Sequence, residues 1–173
     1  AGRGKVVHDA KFAMHVFANH GIALAGAGHD TLLQSYVLES HRNHELAPLA
    51  ERHLNRALAS YEALVGKGVA RIGFDEVDVE PAGAYAAQPA RIVFALHKTL
   101  YPQIAADERL LSIYQRIEVP VSSVLFAMER HGVLLDAALL EAHGATLGSR
   151  MAAIEQPGDE VGGHSFNMNS PQH

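Results

Sequence analysis

Apolar residues recur at helical spacing along most of this chain, and alternation at a period of two is almost absent. That rhythm is the strongest constraint on the fold, because a helical stripe buries itself only against another element. After Glu108 it runs Leu110, Leu111, Tyr114, Ile117, Val121, Val124, Leu125 and Met128, all on one predicted helix face. Shorter stripes precede it: Phe12, Val16 and Phe17 after Asp9, and Leu32, Leu33, Tyr36 and Val37 after Asp30. Both aspartates stand where an N-cap belongs, and Gly21 follows the first stripe as a stop signal. Further helices are expected over 46–54, with Pro48 in its first turn, and over 61–65, closed by Gly66-Lys67-Gly68. Asp136 should cap another, running to about Glu155 and weakened by Gly144 and Gly148 at ~1 kcal/mol each relative to Ala. The chain reads as mostly α, with almost no strand.

Prolines punctuate this pattern. Pro81 can open a helix whose body runs from about Ala82 to Leu100, but Pro89 sits in its middle. A proline there has no N–H for the Tyr85 carbonyl and its ring crowds that carbonyl, at a cost of ~3 kcal/mol. An interruption just after Tyr85 is therefore expected. Pro102 to Asp107 is the best linker candidate, and Pro120 should bend the long stripe. The segment from Pro157 reads as a Gly-, Asn- and Ser-rich tail ending on the cap-like Ser170-Pro171.

The chain has 173 residues, 48% of them apolar, enough for a core. No apolar run approaches the ~20 residues that span a bilayer, and no signal-like opening is seen. The lack of cysteine excludes disulfides and thiolate metal sites and fits a reducing compartment. A net charge of -5 gives no overall basic footprint for nucleic acid. The 12 histidines raise a metal hypothesis. His41 and His44 are three apart but in an apparent loop, and His15 and His20 are too far apart for one helical face. Without HExxH or HxH, polar surface and helix-end positions are the plainer reading, as for His20 and His131 before glycines. Gly66-Lys67-Gly68 lacks the strand and spacing of a phosphate loop, and no nucleophile elbow occurs.

Several strings in order carry a resemblance: "HDTLLQSYVLES", "LAERHL", "YEALVGKG", "GFDEV", "YAA", "IEVPVSSVLFAMERHGVLLD" and "FNMNSP". Together they resemble the bacterial DNA polymerase I family, the family A DNA polymerases, over essentially the whole chain. The resemblance implies a fragment. Residues 1–105 would be the C-terminal part of a ribonuclease H-like α/β 3′–5′ exonuclease domain, and 106–173 the helical start of the polymerase domain leading into the thumb. Most of the exonuclease sheet and its first Asp-x-Glu motif would precede Ala1. The metal-binding aspartates of the polymerase would lie beyond His173. An apolar face left without its natural cover follows from such a cut.

The family's exonuclease hydrolyses the 3′-terminal phosphodiester with two carboxylate-bound Mg²⁺ or Mn²⁺ ions. Its second motif, Asn-x-Lys-Tyr-Asp, is matched by Asp9-Ala10-Lys11-Phe12-Ala13, so Ala13 stands at the ligand position. Asp9, four residues earlier, reads as an N-cap rather than a substitute ligand. The third motif, Tyr-x-x-x-Asp, is matched by Tyr85-Ala86-Ala87-Gln88-Pro89: the tyrosine that orients water is retained, and its partner acid is Pro89. Ala47-Pro48 and Arg91 also replace polar or acidic positions usual in the family. The resemblance thus implies a DNA polymerase acting in replication and repair, cytoplasmic and not membrane-bound, with DNA and the rest of the polymerase as partners. The fragment itself should bind no metal and be inactive. The alternative is a non-catalytic module holding a single-stranded 3′ end on Phe12 with Lys11, Arg42 or Arg52.

Overall fold

The computed structural model of the chain describes residues 4–162, with side chains described as far as Ile154. Helices dominate. Two compact units divide the chain, one up to His131 and one from Gly132. In the first, strand β1 (Lys5–Val7) leads into helix α1 (Ala10–Asn19), and strand β2 (Ala27–Asp30) into α2 (Thr31–Leu38). Helices α3 (Leu46–Leu54), α4 (Tyr61–Val65) and α5 (Val79–Ala105) follow. Then come α6 (Glu108–Ile113), a π-helical turn (Tyr114–Glu118) and α7 (Val119–His131). The second unit contains α8 (Ala137–Gly162).

The caps fall where side-chain chemistry places them. Asp9 accepts from the Phe12 N–H at 3.0 Å, Ser60 from Ala63 at 3.1 Å, and Asp136 from Leu139 at 3.0 Å. Gly21 follows α1 at φ 71°, a conformation a β-carbon disfavours, and turns the chain towards β2.

β1 and β2 pair in parallel, Val6 opposite His29 and Val7 opposite Asp30. These strands depart from the expected near absence of sheet. Each is three or four residues long, and β2 reads Ala-Gly-His-Asp, too short and too mixed to display alternation.

The core sits on α5. Leu96 and Leu100 are fully buried and pack with Ile92, Leu49 and Ala50, and Leu38, Leu46, Leu54 and Leu58 lie around them. Helix α2 differs from its sequence stripe. Its buried residues are Thr31, Gln34 and Ser35, while Tyr36 is exposed. Each buried polar side chain has a partner: Thr31 Oγ1 to His8 Nδ1 at 2.9 Å, Ser35 Oγ to His44 Nδ1 at 2.9 Å, and Gln34 to His97 and Tyr114. Hydrogen bonding therefore outweighs hydropathy in choosing that face.

The prolines act less severely than expected. Helix α5 runs unbroken through Pro89 and Pro102. Only one backbone bond is lost at each. On one side of Pro89 the Gln88 side chain grips the preceding loop, its Oε1 accepting the Ala59 N–H at 2.9 Å. On the other, Ile92, Val93, Leu96, Leu100 and Ile104 are buried, and that packing carries the helix across the gap. Pro102 to Asp107 is accordingly not a linker: Ile104 is fully buried, and the turn into α6 uses only Ala106 and Asp107. α8 likewise passes Pro157 and reaches Gly162, beyond the expected end near Glu155. Ser170-Pro171 lies outside the described residues.

Pro120 is accommodated by the π-turn, in which the Val119 N–H reaches back to the Tyr114 carbonyl. This wider turn changes the phase of the long stripe. Tyr114 is buried, whereas Ile117, Val124 and Met128 are 53%, 57% and 62% exposed. Large apolar side chains thus stay exposed along this segment, and Phe12, Phe17 and Ile22 are exposed in the same unit.

Candidate active site

Helix α1 presents Lys11, Phe12 and Ala13 in consecutive positions. Ala13 offers only a methyl group where the motif needs an oxygen. Asp9 is committed to capping through the Phe12 N–H. Lys11 is engaged elsewhere: its Nζ lies 2.6 Å from Glu129 Oε1 on α7, and His15 Nε2 lies 2.7 Å from Oε2 of the same carboxylate. The hydrogen bond to Glu129 holds the Lys11 ammonium above its ordinary value, and the bonds from Lys11 and His15 hold the Glu129 carboxyl below its own. Arg130 adds a bond to Asn19 Oδ1 at 2.8 Å, and the His15 ring packs on Phe126 at 4.8 Å. These contacts tie α1 to α7. Phe12 is left 64% exposed.

Tyr85 lies in the first half of α5. Its ring meets Tyr61 at 6.3 Å and Phe74 at 6.5 Å, and the Arg71 guanidinium sits 5.5 Å from the Tyr61 ring centre. The cluster joins α4, the short turn at Phe74–Glu76 and α5. Pro89 follows one helical turn later on the same side as Tyr85, with no donor atom to offer a metal.

Arg42 and Arg52 belong to a third place. Arg52 Nε donates to Glu39 Oε2 at 3.0 Å, its Nη2 lies 3.0 Å from the same oxygen and donates to the Asn43 carbonyl at 3.3 Å, and His53 Nε2 lies 3.3 Å from that oxygen. Arg42 is farther from Glu39, at 4.0 Å, and its side chain is 52% exposed. Burial pushes the Glu39 carboxyl up, but the Arg52 charge and bond, with His53, bring it below its ordinary value.

A divalent cation of this chemistry needs converging carboxylates. Among the described residues no three His, Cys, Asp or Glu side chains form such a group. The residues at the two motif positions do not fit a metal pair.

The best organised polar site was not among the sequence candidates. Asp30 is buried at the end of β2, and its carboxylate accepts the backbone N–H groups of Asp9 at 3.1 Å, Ala10 at 2.7 Å and Leu32 at 2.9 Å. Burial raises its carboxyl above 3.8, opposed by those three bonds and by His8. Its own N–H donates to the Tyr114 hydroxyl at 3.0 Å. Beside it, a cleft of about 210 Å³ opens between α1, β2 and α7, lined by Met14, Gly26, His29, Asp30 and Ser122. Asp30 is fully used by backbone donors, so the network is architectural. Only the cap through Leu32 was legible in sequence, because the other partners of Asp30 lie 20 to 84 positions away.

Comparisons with known proteins supply the context. A family model described as 3′–5′ exonuclease, of the family A DNA polymerases, matches residues 2–105. DNA polymerase I of Pseudomonas aeruginosa is 37% identical over 171 residues, covering 97% of this chain and 19% of that protein. DNA polymerase I of Chloroflexus aurantiacus is 34% identical, covering 97% of this chain and 18% of its own length. A solved structure, the POL domain of Pol1 from M. smegmatis in complex with DNA primer-template and dNTP, superposes with a TM-score of 0.70. It is 28% identical, and the match covers 99% of this chain and 26% of that one. The chain therefore spans about a fifth of the length of the curated relatives it matches. No described helix is long and apolar enough to cross a membrane. By the ordered strings, the family model and these relatives, the chain belongs to the DNA polymerase I family and carries sequence of its 3′–5′ exonuclease domain.

Proposed function

We propose that this stretch forms part of a cytoplasmic DNA polymerase I that copies a primed template but no longer proofreads. In this reading residues 1–105 belong to a ribonuclease H-like exonuclease domain, and residues 106–173 begin the polymerase domain on the way to the thumb. The end of the family match at Ala105 supports that boundary. The parent polymerase would work on primed DNA, as the primer-template and dNTP complex of the M. smegmatis relative supports, and the family resemblance implies Mg²⁺ or Mn²⁺ at its polymerase centre.

The observation that carries the loss of proofreading is the pair Ala13 and Pro89 at two ligand positions of the family's exonuclease motifs. Phosphodiester hydrolysis by this chemistry needs two metals to generate hydroxide and stabilise the leaving oxygen. Without those metals Tyr85 would have no activated water to orient. The test is digestion of 5′-labelled single-stranded DNA by the purified chain, and by the polymerase that carries it, with Mg²⁺ and then Mn²⁺. No shortening above the enzyme-free control is expected. Steady 3′–5′ digestion that drops on Tyr85→Phe would overturn the reading.

A non-catalytic module for single-stranded DNA draws less support, because Lys11 and Arg52 already hold Glu129 and Glu39. Weak anisotropy changes at low salt are expected for the chain, with Arg42→Ala removing most of what is seen. A tight complex unaffected by Arg42→Ala but abolished by Lys11→Ala would favour the module instead.

A further inference from the structure

We propose that His29 and His97 form a proton-operated latch: neutral, they hold the π-turn and α7 onto β2 and α5, and protonated, they let them go. The pair sits where three elements meet. His29 on β2 faces His97 on α5 with ring centres 4.4 Å apart. His29 also lies edge-on to Tyr101 at 4.6 Å and parallel to Tyr114 of the π-turn at 6.3 Å. His97 stacks on Tyr101 at 5.2 Å, and Tyr101 meets Tyr114 at 6.2 Å.

The hydrogen bonds give this stack a direction. The Asp30 N–H can only donate, and it donates to the Tyr114 hydroxyl at 3.0 Å. Gln34 Nε2 donates one hydrogen to the same hydroxyl at 3.1 Å and the other to His97 Nδ1 at 3.0 Å. In that arrangement His97 Nδ1 is the acceptor, and the ring is neutral with its hydrogen on Nε2. A proton on Nδ1 would face the Gln34 amide hydrogens. Gln34 Oε1 stands farther from His97 Nδ1, at 3.4 Å, so a proton there has only a long contact to an acceptor. His29 Nδ1 is buried without a hydrogen-bond partner in the protein, so a charge on that ring gains no protein acceptor there.

The titratable groups around the pair do not rescue the charge. Asp30 neighbours His29 but spends both oxygens on backbone donors. Tyr101 and Tyr114 present phenol rings to the pair, and burial, the largest influence on Tyr114, pushes its hydroxyl above 10.0. His8, beyond Thr31, is itself lowered by burial, with Asp30 and Asp9 opposing. Burial lowers His29 and His97 below 6.5, and His29 lowers His97 further. Since the folded values are depressed, the unfolded chain takes up protons first. The latch is at full strength above 6.5 and weakens as pH falls from there towards the lowered folded values.

The test follows the chain by hydrogen–deuterium exchange, corrected for intrinsic rates, with histidine titrations by NMR. Protection of the amides in 110–131 should fall about tenfold between roughly pH 7.5 and 5.5, while α3 changes less than about twofold. In His29→Phe/His97→Gln, which keeps flat side chains but cannot titrate, the fall in 110–131 should shrink to about twofold or less. Unchanged protection in the wild type, or an equal fall in the double variant, would overturn the proposal. Should the double variant not fold, the titrations decide alone: both rings below 6.5 uphold the latch, and either ring at or above it removes it.

Discussion

Asp30→Ala is expected to destabilise the first unit by about 3 kcal/mol or more, a large fraction of the ~5–15 kcal/mol that holds a domain folded. The side chain caps α2 through Leu32 and satisfies Asp9 and Ala10 at the start of α1. Losing a cap costs about 1 kcal/mol, and each buried donor left unpaired adds about 1–3 kcal/mol. The Ala10 bond counts most, because Ala10 is buried where water does not readily replace the carboxylate. Asp30→Asn keeps acceptor capacity on one oxygen and should lose about half as much. Urea unfolding followed by far-UV circular dichroism measures both. A midpoint for Asp30→Ala within error of the wild type would show that the three donors find other partners.

Leu100→Ala should cost a similar amount for a different reason. Leu100 and Leu96 have no exposed surface and pack with Leu49, Ala50 and Ile92 around the middle of α5. Truncation removes transfer energy and leaves a cavity, together about 3–5 kcal/mol for a site that does not collapse. The same change at Leu139 of α8, which is 52% exposed, should cost well under 1 kcal/mol. Equal shifts in the unfolding midpoints would mean that the packing around α5 is too loose to feel a missing side chain.

Sequence reading served well where a signal is local. Asp9, Asp30 and Asp136 each cap the helix their position announces, because a cap is decided within three residues. It overstated the prolines. Pro89 costs its helix one bond, but the burial of Ile92, Leu96 and Leu100 is settled by partners far along the chain. It chose the wrong face of α2, since Gln34 looks like a surface residue until His97 and Tyr114 arrive from 63 and 80 positions away. The motif positions Ala13, Tyr85 and Pro89 could be aligned with a family pattern from their strings alone. The pairing of Lys11 with Glu129 could not, because ion pairs across 118 residues leave no periodicity.

The π-turn at Tyr114–Glu118 carries a further consequence. A helix that winds one residue wide holds a surplus residue, and its downstream face is set about 100° away from where regular winding would leave it. Tyr114 therefore answers to one side of the protein, and Phe126, Glu129 and Arg130 to another, along what is almost one continuous rod. Length, and not composition, is what this stretch has to conserve. A single deletion between Gln115 and Glu118 would leave every downstream side chain chemically intact and aim all of them wrongly, so this short segment should tolerate substitutions far better than changes in residue number.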